Sequence, residues 1–328
     1  MPTRRRALLI LAALAGLAQL SIALALMVGS IPITPLEVLA ALVDNGGTSG
    51  EVVRSLRLPR ALTGFACGGL LALAGALLQV LLRNPLADPY VLGISGGAGI
   101  GALLAIVLGF GAAGINGLAF VGALGAMLLV FGLAHGEGGW THSRLLLTGV
   151  IVAAGCGAVV TLMLAMAPDD RLRGMLFWLM GDLSQTGDPT LVLILLTAVL
   201  LVSLPFAREL NLLARGADVA QALGVAVRPL RRGVYLVASL ATAAAVTHAG
   251  AIGFIGLIVP HLVRLATGND QRLLLPASVL AGGSLLVIAD TLARTVLAPQ
   301  QLPVGVLTAL IGVPVFLFLL TRGAAGRG

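Results

Sequence analysis

Charge is the scarcest property of this 328-residue sequence, because only 10% of its residues are Asp, Glu, Lys or Arg. A soluble domain carries about 25% charged residues, whereas 59% of this chain is hydrophobic. The shortage of charge excludes an ordinary soluble domain and predicts an integral membrane protein. The apolar runs approach ~20 residues and do not alternate over ~10, so the spans are predicted to be helices and not strands of a β-barrel.

Catalytic and metal-binding patterns are also missing. The two cysteines, Cys67 and Cys156, lie in apolar runs and form neither a CxxC pair nor a disulfide framework. The four histidines lack the spacing of metal ligands, and the P-loop pattern that binds ATP is absent. We therefore predict no catalytic residue, no metal site and no cofactor bound by this chain.

What the sequence does contain is a series of ten hydrophobic segments, each able to cross a bilayer. Their approximate limits are 7–29, 58–82, 92–110, 114–134, 144–167, 190–207, 232–249, 251–267, 273–297 and 304–321. The first segment follows three arginines, and a signal peptide begins in the same way. Its apolar run is longer than the apolar part of a signal peptide, so we predict that it is retained as the first helix. No polar interval is long enough to form a soluble unit, so residues 1–328 are predicted to form one domain.

Arginine, which supplies all 20 basic residues, is distributed unequally between the two sides of the predicted membrane domain. An even number of spans places both termini on one side. With Arg4, Arg5 and Arg6 inside, 14 of the 20 arginines lie on the cytoplasmic side and 6 on the other. This bias follows the positive-inside rule. It predicts cytoplasmic termini and accounts for the net charge of +7 without nucleic acid.

The longest polar interval, 208–232, carries signals for a small helix of its own. Gly216 interrupts the chain, Asp218 is expected to cap the helix, and Gly224 is expected to end it in a left-handed conformation. Pro229 is expected at an early position of the next helix. A solvated basic loop stays an alternative, although a loop needs no such structure. We interpret the interval as a rigid cytoplasmic protrusion that fits a soluble partner.

Three apolar segments depart from the pattern of plain lipid-facing helices. Residues 250–261, GAIGFIGLIVPH, are predicted to form an interrupted helix, and Arg83-Asn84-Pro85 is predicted to break the chain after the second span. Residues 93–101, GISGGAGIG, are nearly all small. Irregular backbone at membrane depth is tolerated only when it is buried in protein or lines a cavity. Tight packing explains any one of these segments, and the three together favour a transport pathway.

Ionisable residues are almost absent from the spans. Asp290 is the best exception, and it is in register to pair with Arg294 at i, i+4. An ion-coupled transporter usually keeps ionisable residues near the midplane, so the sequence favours energy supplied by a partner. Arg57, Arg60 and Arg294 lie on the predicted outer side, where they suit docking of an acidic protein surface.

Five stretches together resemble the FecCD-type permeases, the membrane subunits of bacterial ABC importers for ferric siderophores, haem and vitamin B12. They are RLPRALTGFACGGLLALAGALLQVLLRNPLADPYVLGISGGAG (57–99), SRLLLTGV (143–150), LFWLMGDLS (176–184), GAIGFIGLIVPHLVRL (250–265) and ADTLARTVLAPQQLPVGVLTALIGVPVFLFLL (289–320). They follow the family's order from about residue 30 to the C-terminus. Each stretch alone is a weak signal, but the set is highly specific.

The resemblance implies an all-α integral membrane protein with the type II ABC importer permease fold and about ten transmembrane helices. It implies a homodimer in the lipid bilayer of the bacterial inner membrane, with one pathway on the dimer axis. Two ATP-binding cassette ATPase subunits would bind below and one periplasmic substrate-binding protein above. ATP with Mg²⁺ would then be used by the partner ATPase, and the chain itself would be a non-catalytic transport subunit.

The resemblance also assigns site residues. Those that match the ATPase coupling helices are Asp218, Val219, Ala220, Leu223, Gly224 and Arg228. Those that match or adjoin the docking arginines are Arg57, Arg60 and Arg294. Those that fall at the cytoplasmic gates are Asn84, Leu86, Thr141 and His142. The loop before the second gate, GEGGWTHSR, departs from the family because it is rich in glycine and carries a His and a Trp.

Two expectations follow from this resemblance. The first is that the transported substrate is an iron chelate, a ferric siderophore or haem, with cobalamin as the alternative substrate. Two other classes of protein compete with an ABC importer subunit: an ion-coupled secondary transporter and a receptor without a pathway. His248 and His142 favour haem only slightly, because neither has a second ligand beside it. Replacing Arg57 and Arg294 together by glutamate is expected to abolish uptake while leaving the fold intact.

Overall fold

The computed structural model describes residues 3–29, 31–43, 47–134, 142–184 and 186–325. Side chains are described for the same residues except at 142 and 320–325. Throughout this described part the chain forms helices and connecting loops without a strand. The predicted all-α fold class is confirmed.

Ten helices correspond in order and approximate limits to the ten predicted spans. They are α1 (Arg4–Met27), α4 (Leu58–Leu81), α5 (Ile94–Val107), α6 (Ala112–Leu133), α7 (His142–Ala165), α9 (Thr190–Ser203), α12 (Val227–Ala249), α13 (Ile255–Thr267), α14 (Gln271–Ala293) and α15 (Val304–Ala325). The shorter helices between them are α2 (Pro35–Val43), α3 (Gly47–Glu51), α8 (Asp169–Leu179), α10 (Ala207–Arg215) and α11 (Ala217–Ala222). Six helical stretches of the described chain are long and apolar enough to cross a membrane, and α5, α13 and α15 are shorter apolar helices.

The ten helices run between two ends of the bundle. Arg6, near the start of α1, lies around one pocket with Arg83 and Arg215, and we call this the basal end. Ile31, which follows α1, lies around another pocket with Arg294, and we call this the distal end. Successive crossing helices alternate in direction between the two ends.

Helix α4 is the centre of the bundle, since 19 of its 24 residues are buried. It packs against α9, α12, α13 and α14. A helix that is apolar on all sides is expected in such a position. Helix α1 is the opposite case, because only 11% of its most apolar stretch is buried within the chain. Its leucines Leu8, Leu9, Leu17, Leu20 and Leu24 are exposed on the surface of the chain.

Glycine allows the central helices to approach one another closely. A Cβ atom added at Gly75 of α4 would lie 2.6 Å from the carbonyl carbon of Gly256. One added at Gly68 would lie 2.9 Å from the carbonyl carbon of Gly282. Real side chains do not come so close to a backbone, so α4 packs on α13 and α14 through direct backbone contact.

The glycine-rich segment 93–101 forms the start of α5 and packs that helix tightly against α6. A Cβ atom added at Gly97 would lie 2.6 Å from the Cβ of Ala126, and one added at Gly101 would lie 2.6 Å from the carbonyl carbon of Leu118. Close packing therefore accounts for the small residues here. The transport pathway, which the sequence favoured from the three segments together, stays a prediction.

The other two irregular segments are confirmed as breaks. Arg83, after the end of α4, has a φ of 49°. Residues 250–254 are not helical, and Pro260 lies inside the helix that follows them. Within this break, the backbone N–H of Ile252 donates to the hydroxyl oxygen of Tyr90 over 2.9 Å. The broken backbone is thus satisfied by another part of the protein, as irregular backbone inside a membrane requires.

Candidate functional site

The three arginines predicted to dock a partner meet at the distal end, around a pocket of about 310 Å³. Arg60 forms a two-point ion pair with Asp290 of α14, with Nε–Oδ2 and Nη2–Oδ1 distances of 2.9 and 2.8 Å. Its remaining nitrogen donates to Gln301 over 2.9 Å. Arg294, which the sequence offered as the partner of Asp290, is farther from the carboxylate, with its Nε 3.8 Å from Oδ2. Arg60 is therefore the principal partner of Asp290.

Arg57 is buried against the end of α1, with only 6% of its surface exposed. Its Nη1 donates to the carbonyl oxygens of Leu26 and Met27 over 2.7 and 3.1 Å, and its Nη2 donates to that of Ile31. The last carbonyl groups of a helix lack partners within the helix, and a cation placed beside them is favourable. The hydrogen bonds of Arg57 therefore join the end of α1 to the start of α4.

Arg294 has a similar role, because its guanidinium donates to the carbonyl oxygen of Ala25. The guanidinium groups of Arg57 and Arg294 are buried and donate to carbonyl oxygens. Glutamate at these positions would place a negatively charged carboxylate against the same oxygens. The expectation that this double replacement leaves the fold intact must therefore be revised. Docking of a partner through Arg57, Arg60 and Arg294 stays a prediction.

The protruding 208–232 segment lies at the basal end and consists of α10, α11 and the start of α12. Gly216 separates α10 from α11 with a φ of 134°, and Gly224 follows α11 with a φ of 84°, as the sequence predicted. Pro229 is the third residue of α12, also as predicted. The expectation that Asp218 caps α11 is wrong. Gly216 holds the N-cap position, and Asp218 lies in the first turn, where its charge favours the positive end of the helix.

The predicted coupling residues differ in exposure. Val219 and Leu223 are 44% and 61% exposed, although both are apolar. Asp218 and Arg228 are exposed beside them. Ala220 is fully buried and faces the bundle, so it cannot contact a partner as the resemblance implied. A groove of about 600 Å³ runs beside the segment, between α10 and α12.

The two predicted gates are described unequally. Asn84 is exposed, and its Oδ1 accepts the backbone N–H of Leu86 over 2.9 Å. This local turn follows the end of α4. Thr141 lies outside the described residues, and His142 is described only as the first backbone position of α7. The gate roles of all four residues stay predictions.

An acidic residue that the sequence analysis missed lies just beyond the Asn84 turn. Asp88 accepts the backbone N–H of Tyr90 over 2.7 Å, and burial raises the pKa of the Asp88 carboxyl to about 6. Tyr90 in turn accepts the N–H of Ile252. These two bonds connect the turn after α4 to the break before α13.

A cavity of about 570 Å³ opens at the distal end between α6, α8 and the end of α12. His248 lines it, and its Nδ1–H donates to the carbonyl oxygen of Ala244 over 2.9 Å. Phe177 and Trp178 contribute aromatic rings. The guanidinium of Arg173 lies 5.6 Å from the centre of the Phe177 ring. The aromatic signal was present in LFWLMGDLS, but the sequence could not show that it joins His248.

Metal ligands are not gathered anywhere in the part of the chain that the structure describes, since no group of three or more His, Cys, Asp or Glu could hold an ion. The distal cavity can contact a bulky ligand through rings, one imidazole and one guanidinium, and the carboxylates of Asp170, Asp182 and Asp188 also line it. A bare cation would find no such set of ligands among these residues.

Known proteins are similar to this chain in sequence and in fold. The model of the FecCD transport family matches residues 11–322. The chain is 43% identical over 276 residues to the cobalamin import system permease protein BtuC of Halobacterium salinarum, covering 83% of this chain and 74% of that protein. It is 42% identical over 277 residues to the hemin transport system permease protein HmuU of Yersinia pestis, covering 82% of each.

Among solved structures, one chain is similar with a TM-score of 0.83 and 31% identity, covering 96% of this chain and 99% of that one. It is described as an inward-facing conformation of a metal-chelate type ABC transporter. The predicted resemblance is confirmed over nearly the whole sequence. This multi-pass membrane protein is an ABC importer permease and belongs to the FecCD transport family.

Proposed function

We propose that this chain is the membrane subunit of an ATP-driven importer that carries an iron chelate, a ferric siderophore or haem, across the bacterial inner membrane by alternating access. Two copies form the pathway, and a periplasmic binding protein delivers the substrate at the distal end. Two ATPase subunits, which use ATP with Mg²⁺, act on the 208–232 segment at the basal end. Both termini are then cytoplasmic, and the chain itself makes no covalent change in its substrate.

The distal cavity is the observation that carries this proposal. Its volume of about 570 Å³ falls in the range of about 300–1,000 Å³ that suits small organic ligands. A chelate covers its metal with an organic shell, so its binding site needs rings and a few polar groups and no set of metal ligands. Phe177, Trp178, Arg173 and His248 supply that chemistry.

Cobalamin is the second candidate substrate. The similarity to the Halobacterium salinarum cobalamin permease supports it as directly as the similarity to the hemin permease supports haem. Cobalamin is also a bulky chelate with an organic shell, so the cavity does not separate the two. The similarity to a metal-chelate type transporter supports a chelated metal as the cargo, and among such cargoes we propose iron chelates first.

Ion coupling is disfavoured by the environment of Asp290. An ion-coupled carrier needs an ionisable group that can bind and release its ion. The carboxylate of Asp290 is 4% exposed and is held at two points by Arg60. The guanidinium of Arg60 balances the charge of this carboxylate and contacts both of its oxygens, which disfavours Asp290 as the binding group for a transported cation.

Reconstitution tests the proposed substrate. The chain, its partner ATPase and its binding protein are placed in liposomes, and uptake of iron-labelled siderophore, haem and cobalamin is measured. We expect accumulation of an iron chelate with ATP and none with a non-hydrolysable analogue or an ion gradient. Accumulation of cobalamin alone would favour the second candidate, and uptake driven by an ion gradient without ATP would contradict the proposal.

The exposed leucine of the 208–232 segment gives a test of coupling. Leu223→Ala is expected to weaken ATPase binding about tenfold, since loss of an apolar anchor from an interface costs about 1–2 kcal/mol. Binding is measured with purified subunits in detergent. Gln221→Ala, an exposed polar position in α11 two residues before Leu223, is the matched control and should change binding little. Equal effects of the two changes would contradict the proposed role of Leu223.

A further inference from the structure

The basal end contains a pocket of about 780 Å³ around which four arginines meet. They come from four different elements and are Arg6, Arg83, Arg215 and Arg264. Among the described residues, none of the four guanidinium groups has a hydrogen-bond or ion-pair partner within the chain. Four guanidinium groups around one pocket outnumber its one carboxylate, that of Asp270, and such a site attracts an anion.

The single carboxylate at this pocket is already engaged. Asp270 accepts from the amide of Asn211 over 2.9 Å and from the backbone N–H of Arg272 over 3.1 Å. The backbone N–H of Gln271 donates to Asn211 over 2.9 Å. These bonds join α10 to the start of α14 and make this wall of the pocket rigid. Asp270 keeps its negative charge in these bonds, so the lining carries four positive charges against one negative charge, a formal charge of +3.

Two buried glutamines at the pocket have polar atoms without partners. Gln79 and Gln271 are 3% and 1% exposed, and within the described chain the Oε1 atom of each has no hydrogen-bond partner. The Gln79 amide nitrogen donates to the carbonyl oxygen of Leu257 over 3.1 Å, which holds its side chain in place. Buried polar atoms without a partner indicate a missing ligand or water. A ligand with a hydroxyl or amine beside its anionic group would satisfy them.

The position of the pocket indicates where its ligand comes from. Arg6 lies on α1, the helix with the least burial of its apolar stretch. Leu9, on the same face of α1 at i+3, is 70% exposed, and Leu8 beside it is 60% exposed. A molecule with a phosphate in the pocket and acyl chains along these leucines would satisfy both surfaces. Basic pockets between transmembrane helices bind anionic lipid headgroups in this way.

We propose that this pocket binds the phosphate-bearing headgroup of an anionic phospholipid from the leaflet at the basal end. The phosphate contacts the arginines, and the glycerol hydroxyls of a headgroup such as phosphatidylglycerol donate to the glutamine oxygens. The acyl chains lie along the exposed face of α1. The bound lipid thereby joins α1 to α4, α10 and α13 at their basal ends.

The test uses the purified full-length chain in nanodiscs and phosphatidylglycerol as the probe. Bound lipid is counted by native mass spectrometry, and affinity is measured by titration against phosphatidylcholine. Arg83→Gln with Arg264→Gln is expected to lower the affinity for phosphatidylglycerol about tenfold or more, because each arginine near an anionic headgroup contributes to the attraction. Arg272→Gln, exposed beside the pocket but not lining it, is the matched control and should leave the affinity unchanged.

Three results would overturn the proposal. The first is equal affinity in the double variant and the wild type. The second is displacement of the lipid by millimolar inorganic phosphate, which would make the site one for free phosphate. The third is loss of ATPase binding in the double variant with lipid affinity unchanged, which would assign the arginines to a protein partner. If the double variant does not fold, Arg6→Gln with Arg215→Gln, both exposed, gives the same comparison.

Discussion

Gly75→Ala is expected to destabilise the bundle by about 3 kcal/mol or more, because the central helix has no room for a single methyl group there. The new Cβ atom would overlap with the carbonyl oxygen of Gly256 and lie 2.6 Å from its carbonyl carbon. The obstacle is backbone, so no rotation of a side chain can relieve it. Either α4 and α13 separate, or the break before α13 is displaced. Thermal unfolding in detergent, followed by circular dichroism, measures the loss.

Gly125→Ala is the matched control for this prediction. Gly125 lies in the long apolar helix α6, and an added Cβ atom there meets nothing within 4 Å. Alanine has a higher helix propensity than glycine, so the unfolding midpoint is expected to stay the same or rise slightly. A similar midpoint for Gly75→Ala and Gly125→Ala would show that α4 and α13 are not in direct backbone contact.

Asp290→Asn is the second change with a large expected effect. It leaves Arg60 and Arg294 buried at the distal end without their shared counter-charge, with 12% and 10% of their side chains exposed. Removing one partner of a buried ion pair typically costs about 3–5 kcal/mol, because the remaining charge is uncompensated. The unfolding midpoint in detergent is expected to fall accordingly. Arg60→Gln combined with Asp290→Asn should restore part of the loss, since both members of the pair are then neutral.

The exposed ion pair of α8 provides the control. Asp170 lies 3.9 Å from Arg171 and is 78% exposed, and surface pairs of this kind contribute little to stability. Asp170→Asn should leave the midpoint unchanged. If Asp290→Asn also leaves it unchanged, the distal cluster does not hold the fold together, and its arginines would be free for docking. The affinity of the Asp290→Asn variant and of the wild type for the binding protein, measured at equal folded fraction, then distinguishes a role in stability from a role in docking.

Much of the fold could be predicted because its signals are local. The ten crossing segments and their order follow from the apolar runs, since a run of ~20 apolar residues is long enough to cross the hydrocarbon core. The left-handed turn at Gly224 and the break at 250–254 follow from glycine, which adopts positive φ without strain. Helix α8 was missed as an element, because its first half, DDRLRG, is polar and lies between two predicted spans.

The candidate site was predicted in part. The sequence identified Arg57, Arg60 and Arg294 because they lie on the predicted outer side against the positive-inside bias, and Asp290 because ionisable residues are rare within the spans. It could not determine how they are used. Nothing in the spacing shows that Arg57 meets the carbonyl groups at the end of α1, or that Ala220 of the 208–232 segment is buried.

The sequence by itself determined the membrane class, the number of crossing helices, their order and the family, because each depends on composition or on motifs read along the chain. Only the tertiary structure decided which charges are paired, which glycines touch backbone and which rings share a cavity. Arg60 and Asp290 are 230 residues apart, and the Gly75 and Gly256 backbones meet from different helices. Such contacts depend on how the helices pack against one another, and the hydrophobic pattern of a single helix carries no information about its neighbour.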